Sequence, residues 1–113
     1  MDAAIHVHTA LGPGLLESVY EACLVHELTE RGLKVRRQVG FPVVYKGVRL
    51  ETGFRLDLLI EDCLIVELKA VDEVHPVFEA QVMTYLKLTG NRVGLILNFN
   101  VALMKDGIQR VIL

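Results

Sequence analysis

The chain has 113 residues, 52% of them hydrophobic and 23% charged, a length and composition expected of one globular domain, residues 1–113, able to bury a core without disulfides or a structural metal. Its 14 acidic and 12 basic side chains leave a net charge of −2, which disfavours affinity through broad phosphate neutralisation; any basic surface must be local, at Lys34, Arg36 and Arg37 or at Lys46 and Arg49. No segment approaches the roughly 18 to 20 apolar residues of a membrane span, and a start with Asp2 and no basic residue is not a signal peptide, so no membrane contact and a cytoplasmic location are the default expectations.

Ala4, Val7 and Leu11 recur at helical spacing until Gly12-Pro13-Gly14 interrupts them. A second helix is expected from Leu15 to about Arg31, with Leu16, Val19, Tyr20, Cys23, Leu24 and Leu28 as its apolar stripe and Gly32 as its C-cap. Strand signals follow at Leu33 to Val39, at Val43 to Tyr45, at Val48 to Glu51 after a Lys46-Gly47 turn, and in a hairpin from Phe54 to Lys69. His75-Pro76 opens a helix carrying Phe78, Val82, Tyr85, Leu86 and Thr89, which Gly90 ends. Val93 to Asn98 suits a buried strand, and Ile108 to Leu113 a last strand after the Lys105-Asp106-Gly107 turn. Cys23 and Cys63 lack the spacing of a zinc site and read as reduced, partly buried side chains.

The hairpin carries the chemistry. Strand alternation puts Phe54, Leu56, Leu58 and Ile60 on one side and Arg55, Asp57 and Leu59 on the other. Matching the apolar row to Leu64, Val66 and Leu68 requires Ile60 opposite Leu64, because a slip by one residue would bury charge and expose leucine. That register sets Asp57 opposite Glu67, with Lys69 on the same face as Glu67. Two carboxylates so placed repel, and a divalent cation compensates them. The plainer alternative is a solvated strand end in which Lys69 neutralises one carboxylate; against it, the same face is apolar nearer the turn, at Leu59, Cys63 and Ile65, and so is covered.

The run Gly14-Leu15-Leu16-Glu17-Ser18-Val19-Tyr20 resembles the signature of the GxxExxY proteins, a small bacterial and archaeal family. Gly12-Pro13-Gly14, Arg55-Leu56-Asp57-Leu58, Glu67-Leu68-Lys69, Gln81 to Tyr85 and Asn98-Phe99-Asn100 are similar to that family in the same order, over nearly the whole chain. The resemblance implies the PD-(D/E)XK nuclease-like superfamily: an α/β, restriction-endonuclease-like core with a mixed central sheet flanked by helices, whose active members hydrolyse DNA or RNA phosphodiesters with magnesium. It also implies a longer lead-in, so that Met1 is expected to be a late start and the first helix incomplete.

Carried over by that resemblance, Glu17 matches the acidic residue of the first core helix, Asp57 the superfamily's Asp, and Glu67, Leu68 and Lys69 its (D/E)XK element. Gln81 and Tyr85 resemble the Gln-x-x-x-Tyr element of RecB-type nucleases. The proline of the superfamily's name is replaced by Leu56. The implied metal site is Asp57, Glu67 and the Leu68 carbonyl around Mg2+, with Mn2+ as a substitute and Glu17 holding a metal-bound water or a second metal. This suits the metal's preference for oxygen ligands and retained waters. Lys69 then orients or deprotonates the attacking water or stabilises phosphorane charge.

Each residue also has a structural explanation. Glu17 in a first helical turn is favourable to the helix dipole by ~0.3–1 kcal/mol with no chemistry at all. Gln81 and Tyr85 at i and i+4 form a helix surface pair, and Tyr20 packs with its hydroxyl at the rim. His6, His8, His26 and His75 have no ligand spacing, and His75 alone lies near the expected site. The competing function is a catalytically inactive nuclease-fold module that binds protein or nucleic acid. The expected partners are nucleic acid, DNA more than RNA, and a second copy or a partner protein that widens a minimal surface.

Overall fold

Capping chemistry sets the helix boundaries in the computed structural model, which describes residues 1–113. α1 (Asp2–Leu11) stops at Gly12, whose φ of 75° is left-handed. α2 (Glu17–Glu30) begins two residues later than the apolar stripe suggests, because Leu16 is extended and occupies the N-cap. Its C-terminus closes around Gly32: the Gly32 N–H bonds the Thr29 carbonyl at 3.0 Å and the Leu33 N–H bonds the Leu28 carbonyl at 3.1 Å, a Schellman pair. α3 (Pro76–Thr89) takes Pro76 into its first turn, and His75 Nδ1 accepts the Val77 N–H at 3.0 Å. His75 is therefore a helix cap.

The five strands are β1 (Val35–Tyr45), β2 (Val48–Ile60), β3 (Leu64–Lys69), β4 (Val93–Asn98) and β5 (Ile108–Ile112), in spatial order β1-β2-β3-β4-β5. Only β3 and β4 are parallel, joined across one face by α3; the remaining pairs are antiparallel. β1 and β2 each absorb two of the short strands expected from the sequence. Pro42 sits at a shift of register between Phe41 and Val43 on the edge strand, where its missing N–H is tolerated. At Gly53 a Cβ would collide with the Val43 side chain, which is why this strand position has none.

Helices cover both faces. Ala3, Ala4, Val7, Tyr20, Leu24 and Leu28 of α1 and α2 pack on Leu58, Ile60, Val66, Leu68, Leu95 and Leu97. Val82 and Leu86 of α3 pack on Leu59, Ile65, Ile96 and Val111, with Gly94 directly under Val82. The result is a mixed five-stranded sheet between helices, the α/β architecture of restriction-endonuclease-like proteins.

Two expectations need correction. Phe54, Leu56, Leu58 and Ile60 do not share one side: Leu58 and Ile60 lie under α1 and α2, whereas Leu56 joins the cluster under α3 and Phe54 stacks on Tyr85 of that helix at 4.8 Å. Alternation slips at Asp57 and at Gln38, which lie between the pairs Arg37↔Leu58 and Val39↔Leu56; Gln38 has a left-handed φ of 51°. Cys63 is exposed rather than partly buried, because the three-residue turn at Glu61-Asp62-Cys63 projects past the sheet; Cys23 is half-buried as expected.

Candidate active site

The site forms where β2 and β3 part. Their ladder follows the register set by the apolar residues, Ile60↔Leu64, Leu59↔Ile65 and Leu58↔Val66, and then stops one step short of Asp57 and Glu67. There the Asp57 carboxylate accepts the Leu68 N–H at 2.9 Å, so a side chain satisfies a strand donor where pairing ends. β3 continues past this point because β4 supports it on the other edge, through Glu67↔Ile96, Leu68↔Leu97 and Lys69↔Asn98. The expected direct opposition of Asp57 and Glu67 thus becomes a side-by-side contact at the splayed end of two strands.

Glu67 is 4% exposed, and its Oε1 is buried with no hydrogen-bond partner. Burial, followed by the adjoining Asp57 carboxyl group, pushes its pKa up to about 9 from 4.5, against an opposing pull from Lys69. A shift in this direction favours the protonated carboxyl of Glu67 at neutral pH. Lys69 does not neutralise the pair as a structural salt bridge would: its Nζ lies over the Phe78 ring, 4.3 Å from the centroid, and forms no ion pair with either carboxylate. Glu67 Oε1 is buried without a partner beside a second carboxyl group, an arrangement that a cation held between the two side chains would complete. No three His, Cys, Asp or Glu side chains converge tightly enough to hold a metal alone. A cation here would take the Asp57 and Glu67 carboxylates, an oxygen donor pair of the kind that divalent ions accept with water completing the shell.

Helices from both faces reach this end of the sheet. Glu17 opens α2, and its pKa is raised by burial first and then by Asp57, while Lys69 lowers it and Glu21 raises it further. Tyr85 of α3 is raised by burial and by the charges of Glu67 and Asp57, with Gln81 beside its hydroxyl. Four of the motifs spaced along the sequence thus share one electrostatic environment. The histidines lie outside it: His8 is buried with Nε2 2.8 Å from the Val101 carbonyl, His26 pairs with Glu30 on the surface, and His6 is exposed.

Sequence reasoning missed the support behind Asp57. Glu21 is 8% exposed and accepts Gln38 Nε2 at 3.1 Å on each of its two oxygens, with Arg37 Nε at 3.4 Å. These bonds tie α2 to the kink in β1 beside Asp57. The only hint in the sequence is that Glu21 lies one turn from Glu17. The expected basic patches are also largely neutralised. Lys34 and Arg36 pair with Asp62 at 2.7 and 3.5 Å, which holds the Asp62 carboxyl below its ordinary range, and Arg49 pairs with Glu51. Arg55, exposed two residues before Asp57, pairs with no acid.

No helix is long and apolar enough to cross a membrane. No curated protein and no solved structure shows significant similarity to the chain. A family model described as the PD-(D/E)XK nuclease superfamily matches residues 1–111 of the 113. With a mixed sheet flanked by helices and an acidic pair plus lysine at the parting of β2 and β3, the chain belongs to the PD-(D/E)XK nuclease superfamily.

Proposed function

We propose that this protein is a metal-dependent nuclease of the GxxExxY kind, hydrolysing phosphodiester bonds in nucleic acid, DNA in preference to RNA. The observation that carries the reading is the unpartnered, buried Glu67 Oε1 against Asp57. Asp57, Glu67 and the Leu68 carbonyl would hold Mg2+ or Mn2+, and Glu17 would reach it through water. When bound, the ion supplies polarisation of the scissile phosphate and a water of lowered pKa.

The chain's own groups do the remainder. Lys69, held over Phe78 with no carboxylate in ion-pair contact, presents its ammonium for developing phosphate charge or for the attacking water. Gln81 and Tyr85, which approach Glu67 and Asp57 from α3, would orient the substrate backbone. Arg55 provides a phosphate contact on the strand that carries Asp57. The second reading, a nuclease-fold module that binds without cleaving, is favoured by the net charge of −2 and by the pairing of most exposed cations with acids.

Calorimetric titration of the wild type and Asp57→Asn with Mg2+ and Mn2+ separates the two. The nuclease reading expects binding that the substitution abolishes, together with Mn2+-dependent cleavage of single- or double-stranded substrates. Absence of metal binding by the wild type would leave the binding-module reading.

A further inference from the structure

The loop Gly12-Pro13-Gly14-Leu15-Leu16 delivers the chain into α2 and Glu17 with backbone bonds at its two ends, Gly12 N–H to the His8 carbonyl and Val19 N–H to the Leu16 carbonyl, and no capping side chain between them. Gly12 and Gly14 take left-handed φ values of 75° and 95°. Tyr20 bridges the loop. Its ring is fully buried, and its hydroxyl donates to the Gly12 carbonyl at 2.6 Å and accepts the Leu15 N–H at 3.1 Å. Backbone groups from both ends of the loop therefore meet on one oxygen, a turn above Glu17.

The other face of this arrangement leads to β3. The Tyr20 ring lies parallel to Phe99, 4.5 Å away with 10° between planes, and Phe99 is also fully buried. The Phe99 N–H donates to the Lys69 carbonyl at 2.9 Å. Next to it, the Asn98 side chain accepts the Val71 N–H at 3.1 Å, donates to the Val71 carbonyl at 3.0 Å and accepts the Asn100 N–H at 3.2 Å. An unbroken path of hydrogen bonds and one ring stack thus joins the loop before Glu17 to the strand end that carries Lys69.

From this geometry we propose that Tyr20 is a positioning residue: its hydroxyl, braced through Phe99 against the Lys69 end of β3, fixes the entry into α2 over residues 12–16 and with it the placement of Glu17 in the first turn of that helix. The role given to Glu17 rests on the metal-site reading above. A tyrosine present only for core volume would act through its ring. The hydroxyl, which phenylalanine lacks, isolates the positioning role.

The test is a pair of double-mutant cycles on the full chain with Tyr20→Phe, Glu17→Gln and the double variant. In EDTA at about pH 8, Glu17→Gln relieves repulsion from Asp57 and should raise the melting temperature by roughly 2 °C; in the Tyr20→Phe background that rise should vanish. With Mn2+, Tyr20→Phe and Glu17→Gln should each weaken binding about tenfold, and the double variant no more than either. Phe99→Leu, which removes the stack and keeps the hydroxyl, should uncouple the same pair. Full additivity in the metal-free cycle would overturn the proposal, since the hydroxyl would then act on stability alone. Wild-type protein that binds no Mn2+ would overturn the metal-site reading instead, and the metal-free cycle would still decide the positioning role.

Discussion

Replacing Glu67 by glutamine should stabilise the metal-free protein, and the gain should grow with pH. The folded pKa of about 9 lies above the ordinary 4.5, so Glu67 must take up a proton on folding wherever the unfolded chain is ionised. Its contribution is fully present below about pH 4.5 and is lost progressively as pH rises to about 9. One pKa unit corresponds to about 1.36 kcal/mol, so at pH 7 the cost relative to pH 4.5 is about 3 kcal/mol. Glutamine has nearly the shape of the protonated acid and never ionises, so it avoids this cost, which amounts to roughly 10 °C in melting temperature for a chain of this size. Urea unfolding of both proteins at about pH 5, 7 and 9 in EDTA measures it: wild-type stability should fall across the window while the variant's stays flat with respect to this group. Added Mn2+ should then restore the wild type and leave Glu67→Gln unmoved. Parallel pH profiles, or a wild type that gains stability as pH rises, would refute the reasoning, because Glu67 would then be ionised and compensated within the apo fold.

Asp57→Asn retains an oxygen for the Leu68 N–H, so its melting temperature in EDTA should equal or exceed that of the wild type while metal binding disappears in calorimetry. Lys69→Met should bind Mn2+ within about threefold of the wild type yet lose cleavage by at least ~100-fold in a single-turnover assay, separating ligand from charge-stabilising group. Gly94→Val should destabilise by about 1–3 kcal/mol in urea unfolding, because a Cβ there comes within 2.6 Å of Val82 Cγ1. Leu56→Ala, at a fully buried position, should cost about 2–5 kcal/mol by the same measurement.

The amino-acid sequence by itself determined the order of elements and the β2–β3 register. Both follow from local rules: glycine and proline punctuate helices, and alternating apolar rows admit only the pairing Ile60↔Leu64 without exposing leucine. It also placed Asp57, Glu67 and Lys69 at one strand end, since residues so close along a hairpin have little freedom to separate. The tertiary structure alone decided the rest. The slip in alternation at Asp57 depends on Gln38 and Glu21, which lie on β1 and α2 and meet only when helix and sheet pack. The high pKa of Glu67 comes from burial and from the adjoining Asp57 carboxyl group, and the seat of Lys69 from a ring nine residues away, neither visible to local periodicity. Tyr20 reads in the sequence as one more apolar position of a helix with its hydroxyl at the rim. Its hydroxyl instead meets the Gly12 and Leu15 backbone while its ring stacks on Phe99, 79 residues further on, a long-range contact that helical spacing cannot encode.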